Sequence, residues 1–234
     1  MNRIRYRTEC NRLHILCECG TSNKDGGSIY ASSLSSLVIT HTSFEGTLSD
    51  TDSETQLARS GGALFLRGIL SVTIHEDTFT RCYISADGGA IFIKSCFSED
   101  IISPVIHNCI FMSCKGTSSA GGGMCVEKNQ YDNFVTNSLF SKCANAFAGA
   151  LWLNYQSMDY SSGNYPVKYC FFNKNYLMDS NGSGTDTVIL LKNEYSPRDD
   201  EQIFLHCYST SESKRVAYLS SGYHSIDVIW LPLS

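Results

Sequence analysis

The fold of this chain is decided by a short phrase, "FTRCYISADGGAIFIKS", which spans residues 79 to 95. An aromatic residue is followed three places later by a cysteine, and Gly-Gly-Ala then opens an apolar run. Variants of both parts recur along the 234 residues of the chain. Because recurrence at a regular period is the signature of a repeat architecture, the phrase is predicted to be a structural unit rather than a catalytic site.

The aromatic part of the phrase occurs six times. Each copy opens on Ile or Val and closes on an aromatic residue: "ITHTSF" (39–44), "IHEDTF" (74–79), "IHNCIF" (106–111), "VTNSLF" (135–140), "VKYCFF" (167–172) and "IFLHCY" (203–208). Three places after the aromatic comes a small or hydrogen-bonding residue: Thr47, Cys82, Cys114, Cys143, Asn175 and Ser211. An altered earlier copy, "NRLHIL", ends at Leu16 and places its cysteine at Cys19.

The glycine part of the phrase completes the unit. It occurs as Gly26-Gly27-Ser28-Ile29, Gly61-Gly62-Ala63-Leu64, Gly88-Gly89-Ala90-Ile91, Gly122-Gly123-Met124-Cys125 and Ala148-Gly149-Ala150-Leu151. From Leu16 onward the aromatic positions lie between 28 and 36 residues apart. A period of this length indicates a solenoid, a propeller or an array of helical repeats.

The local pattern separates these architectures. No window has the i, i+3, i+4 spacing of an amphipathic helix, which excludes helical arrays. Short apolar runs are bounded instead by Gly, Ser, Asn and Asp, which predicts strands and turns. A propeller blade needs about 40 to 45 residues for its four strands, more than these units contain. The pattern therefore predicts an all-β parallel β-helix, with about three short strands in each coil.

Stacking of like positions explains the residue types. Successive coils of such a helix lie about 4.8 Å apart, so each repeat position forms a column along the axis. The aromatic position is predicted to stack in the interior, with the Cys, Thr or Asn position as a second column. The two glycines suit a corner that needs a positive φ or a close approach of main chains. The alanine after them leaves room for the facing aromatic ring.

Cysteine is abundant, with eleven residues in the chain. In a small secreted protein this would indicate a disulfide framework. Most of these cysteines fall at repeat positions inside apolar strands, which favours buried thiols that pack as small apolar groups. Cys17 and Cys19 form a C-x-C pair, but no C-x-x-C or His pair completes a tetrahedral zinc set, so no metal or cofactor is predicted.

Charge and hydropathy exclude some classes of partner. The net charge of −5 and the lack of clustered Lys and Arg beyond the first twelve residues argue against nucleic acid. No run of apolar residues approaches the length of about 20 residues that a membrane span needs, so no membrane span is predicted. The segment "MNRIRYRTECNRLHILCECG" lacks an apolar core and does not read as a signal peptide.

The repeat also resembles a known group of proteins. Gly-Gly-Ala before an apolar residue, paired with Phe-x-x-Asn, resembles the repeat of the chlamydial polymorphic membrane proteins, and "GGAL" (61–64), "GGAI" (88–91) and "FNKN" (172–175) match it. The cysteine variants "FTRC", "FMSC" and "FSKC" are similar to the β-helix proteins of parasitic protists such as trichomonads. Over roughly residues 10 to 220 the resemblance implies a right-handed β-helix at the cell surface or secreted, used in display, adhesion or host contact.

Binding residues are expected in the loops, because solenoid corners are constrained while loops vary. Most inserted length follows the Gly-Gly-Ala strand, in "SCFSEDIISP" (95–104), "EKNQYDNF" (127–134), "NYQSMDYSSGNYP" (154–166) and "KNEYSPRDDEQ" (192–202). These loops should share one flank of the helix. The candidate ligand-binding residues on them are Tyr131, Tyr155, Tyr160, Tyr165 and Tyr195.

Rigid amphipathic tyrosines among Ser and Asn suit a protein or glycan ligand. The alternative is that the rings of these tyrosines pack flat against the coil and cover it. A different insertion, "EGTLSDTDSETQLARS" (45–60), is acidic but lacks the ligand spacing of a calcium loop and is predicted to be solvated.

An enzymatic function remains the alternative hypothesis. Right-handed β-helices also include pectate lyases and polygalacturonases, which act through paired carboxylates or calcium with a base. Glu76 and Asp77 share one coil, but the matching places hold Asn108 and Cys109, then Asn137 and Ser138. His75 and His107 occupy one repeat position and could stack; Thr40, Thr136 and Lys168 take the same place in other coils, which favours surface residues over a site.

The sequence thus predicts one domain over residues 1–234, a right-handed single-stranded parallel β-helix of about six to seven coils. A degenerate N-terminal coil covers about 1–30, regular coils about 31–153, and degenerate C-terminal coils about 154–234. The predicted role is a non-catalytic module for adhesion or ligand binding, with no catalytic, cofactor or metal residues. A polysaccharide-active enzyme of the same fold and a gene fragment without function are the alternatives.

Overall fold

The computed structural model describes residues 3–7, 13–15, 27–46, 61–84, 88–94, 104–117, 121–129, 135–145, 149–155, 167–178, 204–205 and 207–209. In these ranges the chain consists of short strands joined by turns and bends, without a helix. Accordingly, the described ranges contain no helix with the length and apolar character of a membrane span.

The strands are two to six residues long. In chain order they are β1 (Arg3–Arg7), β2 (Leu13–Ile15), β3 (Ile29–Ser32), β4 (Ser36–Thr40), β5 (Ser43–Glu45), β6 (Leu64–Arg67), β7 (Ser71–His75), β8 (Thr78–Thr80), β9 (Tyr83–Ile84), β10 (Ile91–Lys94), β11 (Val105–His107), β12 (Ile110–Met112), β13 (Lys115–Gly116), β14 (Met124–Asn129), β15 (Val135–Thr136), β16 (Leu139–Ser141), β17 (Ala144–Asn145), β18 (Leu151–Tyr155), β19 (Val167–Lys168), β20 (Phe171–Asn173), β21 (Tyr176–Leu177), β22 (Phe204–Leu205) and β23 (Tyr208–Ser209).

These strands assemble into four sheets, and each coil from β6 to β21 contributes one strand to each sheet. Sheet 1 has the order β1-β4-β7-β11-β15-β19-β22, and sheet 2 has the order β18-β14-β10-β6-β3-β2. Sheet 3 runs β23-β20-β16-β12-β8-β5, and sheet 4 runs β21-β17-β13-β9. Apart from the pairs that β1 and β2 form, every pairing is parallel, an arrangement compatible with the predicted parallel β-helix.

The number of strands per coil differs from the prediction of three. The coil that begins with β6 also contains β7, β8 and β9, and the next three coils repeat this set. The fourth strand has only two residues and directly follows the Cys or Asn position. Such a short element carries too few residues to show an alternating pattern, which is why the sequence did not reveal it.

The register confirms the repeat in the central coils. Phe44, Phe79, Phe111, Phe140 and Phe172 are direct partners in successive strands of sheet 3. Their rings are fully stacked in the interior, with centroids 4.9, 4.9, 4.5 and 5.4 Å apart along the series. The last four are completely buried, so the predicted aromatic column is the centre of the core.

Three sequence alignments need correction. Phe172 pairs with Ser209 and Phe171 with Tyr208, so the last copy is shifted by one residue from the predicted alignment. In the fourth glycine phrase Met124 pairs with Ile91, which places Gly123, not Met124, at the alanine position. The supposed copy ending at Leu16 is not a parallel coil, because Leu13–Ile15 runs antiparallel to β3; Leu16 and Cys19 lie outside the described residues.

The glycine corner before sheet 2 has both predicted features. Gly61 and Gly88 have positive φ angles of 66° and 68°. A Cβ on the following Gly89 would collide with the carbonyl oxygen of Gly122 in the next coil. One glycine therefore supplies the turn conformation, and the next allows two main chains to touch.

Two further corners use left-handed backbone without glycine. The first corner, between sheets 1 and 3, has φ between 49° and 57° at His41, Glu76, Asn108, Asn137 and Tyr169. The second corner, between sheets 3 and 4, has φ between 51° and 55° at Arg81, Ser113, Lys142 and Lys174. Left-handed backbone is costly for residues with a Cβ, so the interior packing on each side must hold these corners in place.

Candidate functional site

A polar surface with several ionisable groups lies beside the first corner. Parallel pairing in sheet 1 aligns Thr40, His75, His107, Thr136 and Lys168 in one outward column. The rings of His75 and His107 stack with centroids 5.1 Å apart and planes 5° from parallel, which confirms the predicted contact. The Nδ1 of His107 lies 2.6 Å from the hydroxyl oxygen of Thr136.

A single carboxylate joins two of the imidazoles. Glu76 sits at the corner with one oxygen 3.1 Å from Nε2 of His75, and its other oxygen contacts Nε2 of His41 in the preceding coil. The side chains of His41, His75 and Glu76 are 59%, 32% and 42% exposed. The repeat pattern does not reveal His41, because it lies one place after the column in the preceding coil and reaches Glu76 only through the left-handed turn.

Asp77 lies directly inside this corner and is fully buried. Its Oδ1 accepts a hydrogen bond of 2.6 Å from the main-chain N–H of Thr42 in the preceding coil. Its Oδ2 has no hydrogen-bond partner within the described part of the chain. Burial raises the pKa of Asp77 to about 6, although the main-chain hydrogen bonds of Thr42 and His75 and the nearby imidazoles of His41 and His75 oppose this rise.

Asp77 belongs to an interior column that the sequence analysis did not recognise. We call it the corner column. Each of its members lies two places after one of the residues that pair along the outward column of sheet 1, and the members are Thr42, Asp77, Cys109, Ser138, Cys170 and Cys207. The second column, which was predicted, contains Cys82, Cys114, Cys143 and Asn175 in its described part. The missed signal was the recurring small polar or sulfur residue two places before each phenylalanine of the aromatic column.

The first corner does not present its two carboxyl groups together. Asp77 is enclosed, while Glu76 is exposed at the corner. The positions that match this pair in the next coils hold Asn108 and Cys109, then Asn137 and Ser138, as the register shows. Acid–base cleavage of a glycosidic bond uses two carboxyl groups that both reach the substrate, and this corner offers one.

The candidate tyrosines lie mostly outside the described residues. Tyr131, Tyr160, Tyr165 and Tyr195 are outside these ranges, as are Cys17 and Cys19. Tyr155 ends β18, and its backbone is paired with Asn129 at the end of β14. The segments that contain Tyr131 and Tyr160 therefore begin at neighbouring points on one edge of sheet 2, the edge formed by the carboxyl ends of its strands.

The outer face of sheet 2 carries a second hydrophobic cluster beside this edge. Tyr30, Phe65, Phe92, Cys125 and Trp152 are successive partners across the sheet. Phe65 stacks on Tyr30 and on Phe92 with ring centroids 5.2 and 5.3 Å apart, and Phe65, Phe92 and Cys125 are buried. Both faces of sheet 2 are thus apolar; continuous runs such as "LFLR" and "IFIK" were the available signal.

No metal-binding geometry is found in the described ranges, where no three His, Cys, Asp or Glu side chains are grouped so that they could hold an ion. The acidic insertion proposed as a solvated loop falls outside these ranges after Gly46.

Comparisons with protein-family models, curated proteins and solved structures give no match.

Proposed function

We propose that this chain is a right-handed parallel β-helix of about six to seven coils, of the pectin lyase type, that acts as a non-catalytic binding module. Six strands in sheet 3 support the coil number. Parallel strands joined through a crossover are right-handed in about 98% of cases, which supports the handedness. The resemblance of the repeat to that of the polymorphic membrane proteins supports a role in adhesion at a cell surface.

The observation that carries the proposal is the pairing at the ends of β14 and β18. Asn129 opposite Tyr155 brings the starts of two tyrosine-containing segments to one edge of sheet 2. The strand β10 ends at the same edge, with Lys94 opposite Glu127 and their side-chain charges 2.8 Å apart. Insertions that leave a rigid sheet at neighbouring points provide a continuous surface that can vary without disturbing the core.

The ligand class proposed is a protein or a glycan. Tyrosines supply large, rigid contact area and one polar hydroxyl each, and the Ser and Asn residues between them supply adaptable hydrogen bonds. Neither nucleic acid nor a cofactor is part of the proposal.

One observation favours the alternative of a polysaccharide-active enzyme. A carboxyl group with a pKa of about 6 could serve as a general acid near neutral pH. Asp77 is completely buried, however, and a general acid must come within hydrogen-bond reach of its substrate. Its environment thus supports a structural use of the raised pKa, and binding remains the function we propose.

The test replaces Tyr155, Tyr160 and Tyr165 together by Ser and measures adhesion to cultured cells and to a glycan array. We expect adhesion to fall at least several-fold while the thermal midpoint stays within a few degrees. The matched control is Tyr169→Ser with Tyr176→Ser, two tyrosines that are 53% and 44% exposed away from this flank. The control should bind like the unchanged protein.

Two outcomes would contradict the proposal. If the triple variant unfolds, the tyrosines cover the coil and the binding flank is wrong. If polygalacturonate or a related acidic glycan is cleaved, with or without calcium, and the activity survives repurification, the enzymatic alternative is correct.

A further inference from the structure

The two interior columns follow one hydrogen-bonding rule, which requires their side chains to donate. The thiol of Cys109 has two main-chain acceptors within reach, the carbonyl of Ile74 in the preceding coil at 3.6 Å and that of His107 in its own coil at 3.3 Å. The same contact with the preceding coil joins Cys114 to Phe79, Cys143 to Phe111, Cys170 to Val135 and Cys207 to Val167. In each case this acceptor lies three residues before the column residue of the preceding coil.

The two hydroxyl residues of the corner column also donate, although to a nearer acceptor. The hydroxyl of Thr42 donates to the carbonyl of Thr40 over 3.1 Å, and that of Ser138 donates to Thr136 over 2.9 Å. Every one of these column residues therefore offers a proton to a main-chain carbonyl. An ionised carboxylate has no proton to offer.

Asn175 shows how a planar side chain satisfies the rule. Its Oδ1 accepts from the N–H of Cys143 over 2.9 Å, and its Nδ2 donates to the carbonyl of Phe140 over 3.0 Å. Asp77 repeats the first half of this geometry at the other corner, since its Oδ1 accepts from the N–H of Thr42. Its Oδ2, the counterpart of the donating nitrogen, lacks a partner in the described part of the chain. By the same register the acceptor opposite it is the carbonyl of Ile39, three residues before Thr42.

We propose that Asp77 is held as a neutral carboxylic acid whose Oδ2–H donates to the main-chain carbonyl of Ile39, so that a proton strengthens the junction between these two coils in mildly acidic solution. The proton comes from solvent, and its release leaves a buried carboxylate facing a carbonyl. The junction is then weaker but still paired through its strands.

The charged and titratable groups around Asp77 are few. His41 approaches from the preceding coil, His75 and Glu76 flank it in its own coil, and Cys109 and His107 follow in the next. Cationic imidazoles favour the carboxylate, whereas Glu76 favours the neutral acid. Burial outweighs these effects and raises the pKa of Asp77 from 3.8 to about 6.

The direction of the pH dependence follows from this rise. Above about pH 6 the group is ionised in both the folded and the unfolded chain, and burial of the charge costs stability. Between about 6 and 3.8 the folded chain holds a proton that the unfolded chain releases, so stability increases as the pH falls. The gain is complete below 3.8, where both states are protonated.

The test compares the full chain with Asp77→Asn by urea unfolding between about pH 7 and about pH 5. Asn donates and accepts at every pH, as Asn175 does, so the variant should be the more stable at pH 7. Its advantage in the unfolding equilibrium constant should shrink by about tenfold at pH 5, one pH unit below the pKa of Asp77. A constant ratio between the two proteins over this range would overturn the proposal.

The matched variant is Asn175→Asp, which places the same acid in the other column. It should be less stable than the unchanged protein at pH 7 and recover part of the loss at pH 5. Glu76→Gln in both the unchanged and the Asp77→Asn background separates the surface carboxylate from the buried one. If the pH-dependent difference disappears with Glu76→Gln alone, the exposed corner is responsible and Asp77 is not.

A direct readout does not depend on the folding of any variant. The carbon-13 resonance of the Asp77 carboxyl should titrate near pH 6 in the native protein, well above an ordinary aspartate. Titration near 4 would overturn the proposal even if Asp77→Asn failed to fold.

Discussion

At the scale of the residue, the aromatic column shows how strongly one position governs this protein. Phe111 is completely buried between Phe79 and Phe140, with ring centroids 4.9 and 4.5 Å away. Its neighbour Met112 points to the opposite side of the same strand and is 39% exposed. Two adjacent residues thus lie in opposite environments because side chains alternate along a strand.

We expect Phe111→Ala to reduce the free energy of unfolding by about 3 to 5 kcal/mol, since it leaves a ring-sized cavity that rigid neighbouring coils cannot fill. Met112→Ala is the matched control and should cost less than about 1 kcal/mol. Denaturant unfolding of both variants measures the difference. Equal losses would mean that the alternation in β12 is wrong.

At the scale of the element, the corners depend on short side chains that tie one coil to the next. Six of the seven described cysteines occupy the two interior columns as thiols, the seventh is Cys125 on the outer face of sheet 2, and all seven are buried. Burial raises the pKa of Cys109 to about 12 and also raises the pKa values of Cys143 and Cys170. Because the thiolate is the reactive form, these residues serve packing and weak hydrogen bonding rather than chemistry.

The prediction at this scale is that Cys82, Cys114 and Cys143 resist alkylation in the native protein and react after denaturation. Ser113→Cys supplies the control, because Ser113 is exposed at the second corner directly beside Cys114. The introduced thiol should be modified rapidly without denaturant, and mass spectrometry of digested protein identifies the modified residues. Rapid native modification of Cys114 would contradict its burial.

At the scale of the whole molecule, stability comes from contacts between neighbouring coils. Sheet 3 illustrates this, since each of its strands β8, β12, β16 and β20 pairs only with the strand before and the strand after it in the stack. In such arrays the total stability is approximately a sum over repeats and their interfaces. Changes at one junction, such as that of Asp77, are therefore expected to act locally on two coils.

We also expect the whole chain to give a far-ultraviolet circular dichroism spectrum of β-sheet with little helix. The reason is that no segment of the sequence has helical periodicity, and the described ranges contain strands without a helix. A helical content near the roughly 30% average of globular proteins would contradict the all-β assignment.

Much of the architecture could be predicted because a repeat averages out local ambiguity. A single "IHNCIF" is a weak strand signal, but five copies in the correct register predicted the aromatic column of sheet 3 and the cysteine column that follows it. Prediction failed where the repeat decays: "IFLHCY" was aligned one residue early, since both Phe204 and Ile203 are apolar candidates for the same place. A one-residue shift moves every side chain to the opposite face.

The candidate site was only partly predictable. The sequence showed that His75 and His107 share a repeat position, and the structure stacks them as expected. It did not show that His41 joins them, because that contact depends on the left-handed backbone at residues 41 and 76. The tyrosine flank remains a prediction.

The sequence by itself determined the class of fold and the main columns, because a recurring pattern of side chains has one efficient way to be buried, in register with its own copies. The tertiary structure decided which polar atoms in those columns find partners. Asn175 and Asp77 hold equivalent places in the two columns, yet only the positions of the main-chain atoms around them show that Nδ2 of Asn175 has an acceptor while Oδ2 of Asp77 has no partner in the described part of the chain. That outcome depends on distances between coils about 35 residues apart, which no local pattern encodes.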